Sequence, residues 1–254
     1  MTAAEIKVLP DPPAVAAEAA ERIVRAANEA IALSGKFTIA LAGGSTPKAL
    51  FELLASPAHR DRIDWRNVEV FFGDERTVPP DHADSNYRMA RDTLLSKVPI
   101  PADHIHRMRG EIDPEEAAKE YGQILKEKFP STSSGQAGEG EGGGLDLILL
   151  GMGDDGHTAS LFPGTPALRE TKHRAVANPV PKLNTTRLTM TAPFINRARE
   201  VLLTVTGANK ASRLSEVLEG SPDPERLPVQ LISPTSGKLS WLVDAPAAGM
   251  TAER

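Results

Sequence analysis

The stretch from Leu145 to Pro163, LDLILLGMGDDGHTASLFP, constrains the fold of this chain more than any other. Leu145 and Leu147 to Leu150 form an apolar run broken only by Asp146. A short run of that kind predicts a strand buried on both faces, as in a parallel sheet covered by helices. Gly151, Gly153 and Gly156, the acids Asp154 and Asp155, and His157 follow at once. The change from buried strand to Gly-rich polar loop puts titratable groups at a strand's carboxyl end, where open α/β sheets bind ligands. A plain Gly-rich turn with a surface histidine is the simpler reading of the same residues.

The remainder of the chain alternates in the same manner. Ile6 to Leu9 reads as a short edge strand and residues 14 to 34 as a helix stopped by Gly35. Phe37 to Leu41 is a buried strand that runs into Ala42-Gly43-Gly44-Ser45-Thr46-Pro47, with a helix through Leu54. Glycines allow an anion close to the backbone, and the free N–H groups and positive dipole end of the helix favour it. A helix capped by Ser45 or Thr46 is the alternative. Val68 to Phe72 is a strand delivering Asp74-Glu75-Arg76 to the same edge, or to a solvated charged turn. Asn86 to Leu95 looks helical, His104 to His106 suits a short strand with structural or exposed histidines, and Pro114 to Phe129 is a helix capped by Asp113. Thr186 to Thr191 and Val201 to Val205 are strands, and Phe194 to Arg197 is a helical turn. Ala208 to Leu218 is a helix with Lys210 in its first turn, where a cation is electrostatically unfavourable, which suggests either a function or simply a solvated side chain. Trp241 to Val243 is a last strand. Alternating strands and helices predict an α/β fold with a mostly parallel sheet covered on both faces.

Composition narrows the function. The 254 residues suit one large domain, with a flexible Gly/Ser/Glu-rich loop at 131–144 and a frayed tail from about residue 246. Cysteine is absent, so disulfides and thiolate metal sites are excluded and a cytoplasmic location fits. A net charge of -5 argues against nucleic acid, and no apolar run is long enough to span a membrane. No His-x-x-x-His pair of ligands occurs, so neither metal nor cofactor is expected.

Several blocks together resemble the 6-phosphogluconolactonase family. They are Gly43-Gly44-Ser45-Thr46-Pro47, Asp74-Glu75-Arg76 with Ser85-Asn86, GMGDDGHTASLFP from Gly151, Arg187 to Thr191, and Val205-Thr206-Gly207 with Lys210. The first block is shared with the related glucosamine-6-phosphate deaminases, whereas GMGDDGHTASLFP is specific. Where the family often has Ser-Pro-Lys-Pro-Pro, this chain has Asn178-Pro179-Val180-Pro181-Lys182-Leu183-Asn184, which leaves the role of Lys182 open. The resemblance implies a single-domain, Rossmann-like three-layer α/β/α fold. It also implies a cofactor-free hydrolase of the oxidative pentose phosphate pathway that opens 6-phospho-D-glucono-1,5-lactone. A small sugar-phosphate lactone is then the only partner expected, on a monomer or weak homo-oligomer.

Lactone opening needs a base for water and an acid for the ring oxygen. An imidazole, with an unperturbed pKa of about 6.5, suits both. Among six histidines, His157 alone sits in a Gly-rich loop after a buried strand. It is assigned as base and then acid, with Asp155 or backbone carbonyls orienting its ring and Asp74 meeting sugar hydroxyls or the reacting end. No GxSxG elbow occurs, which favours direct water attack. For the phosphate, the candidates are Gly43, Gly44, Ser45 and Thr46 with the helix start, and the cations Arg76, Arg187 and Lys210.

Overall fold

The computed structural model describes residues 4–130 and 143–250. In chain order its elements are β1 (Glu5–Leu9), α1 (Pro12–Ser34), β2 (Phe37–Leu41), α2 (Ser45–Leu54), β3 (Val68–Phe72), β4 (Asp74–Arg76), α3 (Asn86–Ala90) and α4 (Pro114–Lys128). They continue with β5 (Leu147–Gly151), β6 (Ala175–Val180), β7 (Thr185–Met190), α5 (Ala192–Ile195), β8 (Glu200–Val205), α6 (Ala211–Glu219) and β9 (Lys238–Asp244).

Six strands form one parallel sheet in the order β1-β9-β8-β5-β2-β3. Period-two alternation sends successive side chains to opposite faces, so a strand covered on both sides is apolar at nearly every position. In β5, Ile148 and Leu150 join the core beneath α4 and α6, while Leu147 and Leu149 join the core beneath α1 and α2. Asp146, the one polar interruption, accepts hydrogen bonds from Thr38 N at 2.9 Å and Thr38 Oγ1 at 2.7 Å. It thereby fixes the start of β5 against β2. From β2 the chain moves outward to β3, and then returns to lay β5 on the other side of β2. The crevice between the carboxyl ends of β2 and β5 is therefore a topological switch point, the place where such sheets bind ligands.

A second, antiparallel sheet of three strands, β4-β7-β6, hangs over that edge. The sequence reading found β7 but neither β4 nor β6 as strands. The charged turn proposed for Asp74-Glu75-Arg76 is instead strand β4, with Asp74 and Glu75 buried. The short strand expected at His104–His106 is a single helical turn and one bridge between Ile105 and Val70. Pro99 and Pro101 just upstream lack the N–H groups that a longer ladder would need. His106 is structural: it hydrogen-bonds Glu69 at 3.0 Å and stacks on Phe71. Asn86 to Leu95 is helical throughout but widens to a π-turn over Arg91–Leu95. Residues 246–250, expected to fray, are held in place: Ala247 is buried, its N–H donates to Asp244, and Met250 N donates to Ala245 O, while the rest of the expected tail lies outside the described residues. Most of the 131–144 loop lies outside the described residues. Its end is packed, since the Gly143 carbonyl accepts a bond from Arg197 at 3.2 Å.

Candidate active site

Beyond β5 the chain turns back on itself. Gly153 N donates to His157 O at 2.8 Å, Gly156 takes φ +84°, and Thr158 Oγ1 donates to Gly151 O. Ala159 then adopts φ +46°, a left-handed conformation uncommon for a residue with a Cβ. This reversal returns Phe162 beneath His157, with the rings stacked 4.1 Å apart.

The imidazole is held from two further sides. Its Nδ1 lies 2.5 Å from Asp155 Oδ1, and its backbone N–H donates to the same oxygen. Of the two orienting devices expected, the Asp155 carboxylate is the one present. Lys182, half of whose story the sequence left open, donates to the other oxygen, Oδ2, at 3.1 Å. Burial alone would raise the Asp155 pKa. The hydrogen bond and charge of His157, joined by Lys182, outweigh that and hold the carboxyl well below the usual carboxylate range. An ionised Asp155 accepts the Nδ1 proton and leaves Nε2 as the ring nitrogen for chemistry. The loop is tight enough to exclude a side chain at residue 153: a Cβ there would lie 2.1 Å from His157 Nδ1 and 2.9 Å from Asp155 Oδ1. Gly153→Ala is therefore expected to push the ring from Asp155 and lower kcat at least about tenfold, since small misplacements of catalytic groups are costly. Steady-state kinetics on the folded variant check this.

Opposite lies a buried polar network. Asp74 Oδ2 accepts from Ser160 Oγ at 2.6 Å, and Asp74 Oδ1 from Asn86 Nδ2 at 3.2 Å. Asn86 packs so closely on the β2–α2 loop that a Cβ on Gly43 would sit 2.0 Å from its Oδ1. Glu75 faces away from the crevice and accepts from the N–H groups of Asn86 and Tyr87, each at 2.8 Å, and from Ser85 Oγ. Burial raises its pKa, which these donors oppose. Glu75 thus joins β4 to the start of α3 and sets Asn86 against Asp74.

Arg76 and Arg187 are register partners across β4 and β7. Like charges directly opposite are unfavourable. Both Nε atoms are buried without a hydrogen-bond partner. Burial and the charge of Arg76 lower the Arg187 pKa. The Arg76 guanidinium donates from Nη1 to the Asp84 carbonyl at 2.7 Å. Two guanidiniums paired in register, half-buried and short of acceptors, could receive an anion.

These groups line a cavity of about 390 Å³ at the switch point, a volume suited to a small metabolite. Gly43, Gly44, Asp74, Arg76, Asp155, His157, Arg187 and Lys210 all face it. Ser45 and Thr46 do not line it. Neither caps α2: the capping position is Gly44, at φ +106°, and no side chain bonds the helix start. Thr46 instead shares a 2.8 Å hydrogen bond with Thr206, tying this loop to the one that carries Lys210. Lys210 ends a single helical turn and occupies the capping position of α6, one step before the place expected. Four contributors escaped assignment from sequence: Ser160, Asn86, Phe162 and Lys182. The first and third lie inside the GMGDDGHTASLFP block, so proximity to His157 was the available signal. A larger open groove, about 1150 Å³, runs between α4 and β6, but none of the residues assigned to the chemistry lines it. Among the described residues no group of three or more His, Cys, Asp or Glu is placed to hold a metal ion, and no helix is long and apolar enough to cross a membrane.

Fold and site together define a sugar-phosphate enzyme of the α/β class. Residues 10–241 match the family of glucosamine-6-phosphate isomerases/6-phosphogluconolactonase, and the chain belongs to that family. Within it, the similarity is to the lactonases. The chain is 44% identical over 244 residues to 6-phosphogluconolactonase from Nostoc sp., covering 95% of this chain and 96% of that one. It is 43% identical over 236 residues to a probable chloroplastic 6-phosphogluconolactonase of Oryza sativa, covering 91% of this chain and 71% of the rice protein. The structure of 6-phosphogluconolactonase from Trypanosoma brucei superposes with a TM-score of 0.84 at 32% identity, over 97% of this chain and 98% of that one.

Proposed function

We propose that this chain hydrolyses 6-phospho-D-glucono-1,5-lactone to 6-phospho-D-gluconate by water attack assisted by His157. The observation that carries the mechanism is the 2.5 Å contact of His157 Nδ1 with Asp155, at one wall of a cavity that also holds the two acceptor-poor arginines. His157 Nε2 takes a proton from water as its oxygen bonds to C1 of the lactone. The imidazolium so formed is stabilised by the Asp155 carboxylate. The tetrahedral intermediate then breaks its bond between C1 and the ring oxygen, and His157 returns the proton to that oxygen. The new carboxylic acid loses its proton to solvent, and the enzyme is unchanged.

The phosphate, carrying about -1.5 to -2 charges near neutral pH, is assigned to Arg76, Arg187 and Lys210. The amide-rich turn at Gly43-Gly44 is the adjoining donor surface. Asp74, fixed by Ser160 and Asn86, faces the cavity as an acceptor for sugar hydroxyls. A cytoplasmic site of action is part of this proposal; several rice relatives are described as chloroplastic.

The test is a coupled assay on freshly prepared lactone, corrected for spontaneous opening. Saturable formation of 6-phosphogluconate is expected, with no ammonia released from glucosamine 6-phosphate. Ammonia release without lactone turnover would assign the chain to the other activity of its family.

A further inference from the structure

The turn that presents Lys210 to the cavity rests on a carboxylate that touches no part of the cavity. Asp244 ends β9 and is completely buried. Both its oxygens lie 3.0 Å from Gly207 N, and Oδ1 also accepts from Ala247 N at 2.8 Å. Gly207 opens the Lys210 turn at φ +100°, and its carbonyl closes that turn by accepting from Lys210 N at 3.0 Å. The residue before it, Thr206, bonds Thr46 at the start of α2. No side chain caps the Gly207 turn or the start of α2. The position of Lys210 relative to the Gly43-Gly44 loop is therefore set from beneath, by one buried acidic side chain and one hydroxyl pair. A fully buried polar side chain needs its hydrogen-bond partners, and here they are the N–H groups of Gly207 and Ala247.

We propose that Asp244 is a positioning residue for substrate phosphate: it fixes the Gly207–Lys210 turn so that the Lys210 ammonium meets the anion. This rests on the reading of Lys210 as a phosphate contact. The group acts through Lys210 and not on the reacting carbonyl, so its loss should appear in KM and leave kcat nearly unchanged.

The experiment measures KM and kcat for Asp244→Ala, Lys210→Ala and the double variant, with 6-phosphogluconate as a competing product. Lys210→Ala is expected to raise KM, and Asp244→Ala to raise it by about tenfold or less, the scale of one hydrogen bond. In the Lys210→Ala background, replacing Asp244 should change KM and the product inhibition constant less than twofold. An equal rise in both backgrounds, or a fall in kcat alone, overturns the proposal and leaves Asp244 a general support of the fold. An unchanged KM in Lys210→Ala removes the phosphate reading of Lys210 itself, and the inference with it. If Asp244→Ala does not fold, Asp244→Asn replaces it in the same cycle. Its amide oxygen can still accept from Gly207 N, so a smaller KM rise, again confined to the Lys210 background, is expected. A rise independent of Lys210 contradicts the proposal there too.

Discussion

His157→Ala is expected to lower kcat by about 10²–10⁴-fold with little change in KM, because proton transfer is realised in the transition state and not in the bound ground state. The native imidazole is held by Asp155 at Nδ1, by the Phe162 ring below, and by the folded-back loop around it. Removing it leaves these supports in place, so the variant should fold, as a thermal melt can confirm. The pH profile adds a second reading. Asp155 is held ionised well below the usual carboxylate range, burial opposing and His157 and Lys182 prevailing. Above about pH 4, no limb in kcat/KM should therefore arise from Asp155 itself. Near-parent kcat in His157→Ala would remove His157 as the base, leaving Asp74 or Asp155 as the next candidates.

Arg187→Ala should act on the other half of the reaction. With Arg76 opposite it in register and its Nε buried without an acceptor, Arg187 is arranged at some cost to the unliganded protein. A dianionic phosphate between the two guanidiniums relieves that cost. KM is expected to rise by about 10- to 100-fold, the worth of one or two charge-assisted hydrogen bonds. Turnover should change less, unless phosphate binding also orients the lactone. Bound 6-phosphogluconate should raise the melting temperature of the parent, as any ligand selective for the folded state does, and much less that of Arg187→Ala. Added salt should weaken binding in the parent more than in the variant. A variant that is less stable without ligand, but has an unchanged KM, would show that the arginine pair serves the fold and not the phosphate.

The parallel sheet was legible because its strands carry their own evidence. Leu147 to Leu150 are apolar at every position and Val201 to Val205 at all but Thr204, which double-sided burial explains. The antiparallel sheet was not. Strand β6, AVANPV, contains Pro179, and a proline argues against a strand except at a sheet edge, where β6 lies. Strand β4 is three charged residues, and its burial depends on partners far along the chain: Ser160 for Asp74, and the start of α3 for Glu75. Such partnerships leave no local pattern. For the site, residue type and loop position singled out His157 and Asp155, while the family resemblance and charge complementarity supplied the cations. Which hydroxyl did what was a different matter. Ser45 and Thr46 look like cap or cradle in sequence, yet neither lines the cavity, and Thr46 is committed to Thr206. Lys182 could not be assigned without seeing that the turn at Pro181–Leu183 brings it to Asp155.

The central claim is that Asp155 and His157 act as one unit. The kcat of the double variant His157→Ala/Asp155→Asn, set beside the two single variants, tests it most directly. Groups that serve one step through each other are strongly non-additive. Asp155→Asn alone should lower kcat substantially, because an amide can present its N–H₂ to Nδ1 and favour the wrong tautomer. In the double variant, kcat should equal that of His157→Ala within about threefold. A double variant whose loss is the product of the two single losses would contradict the account. It would mean that Asp155 works on the substrate independently of the histidine.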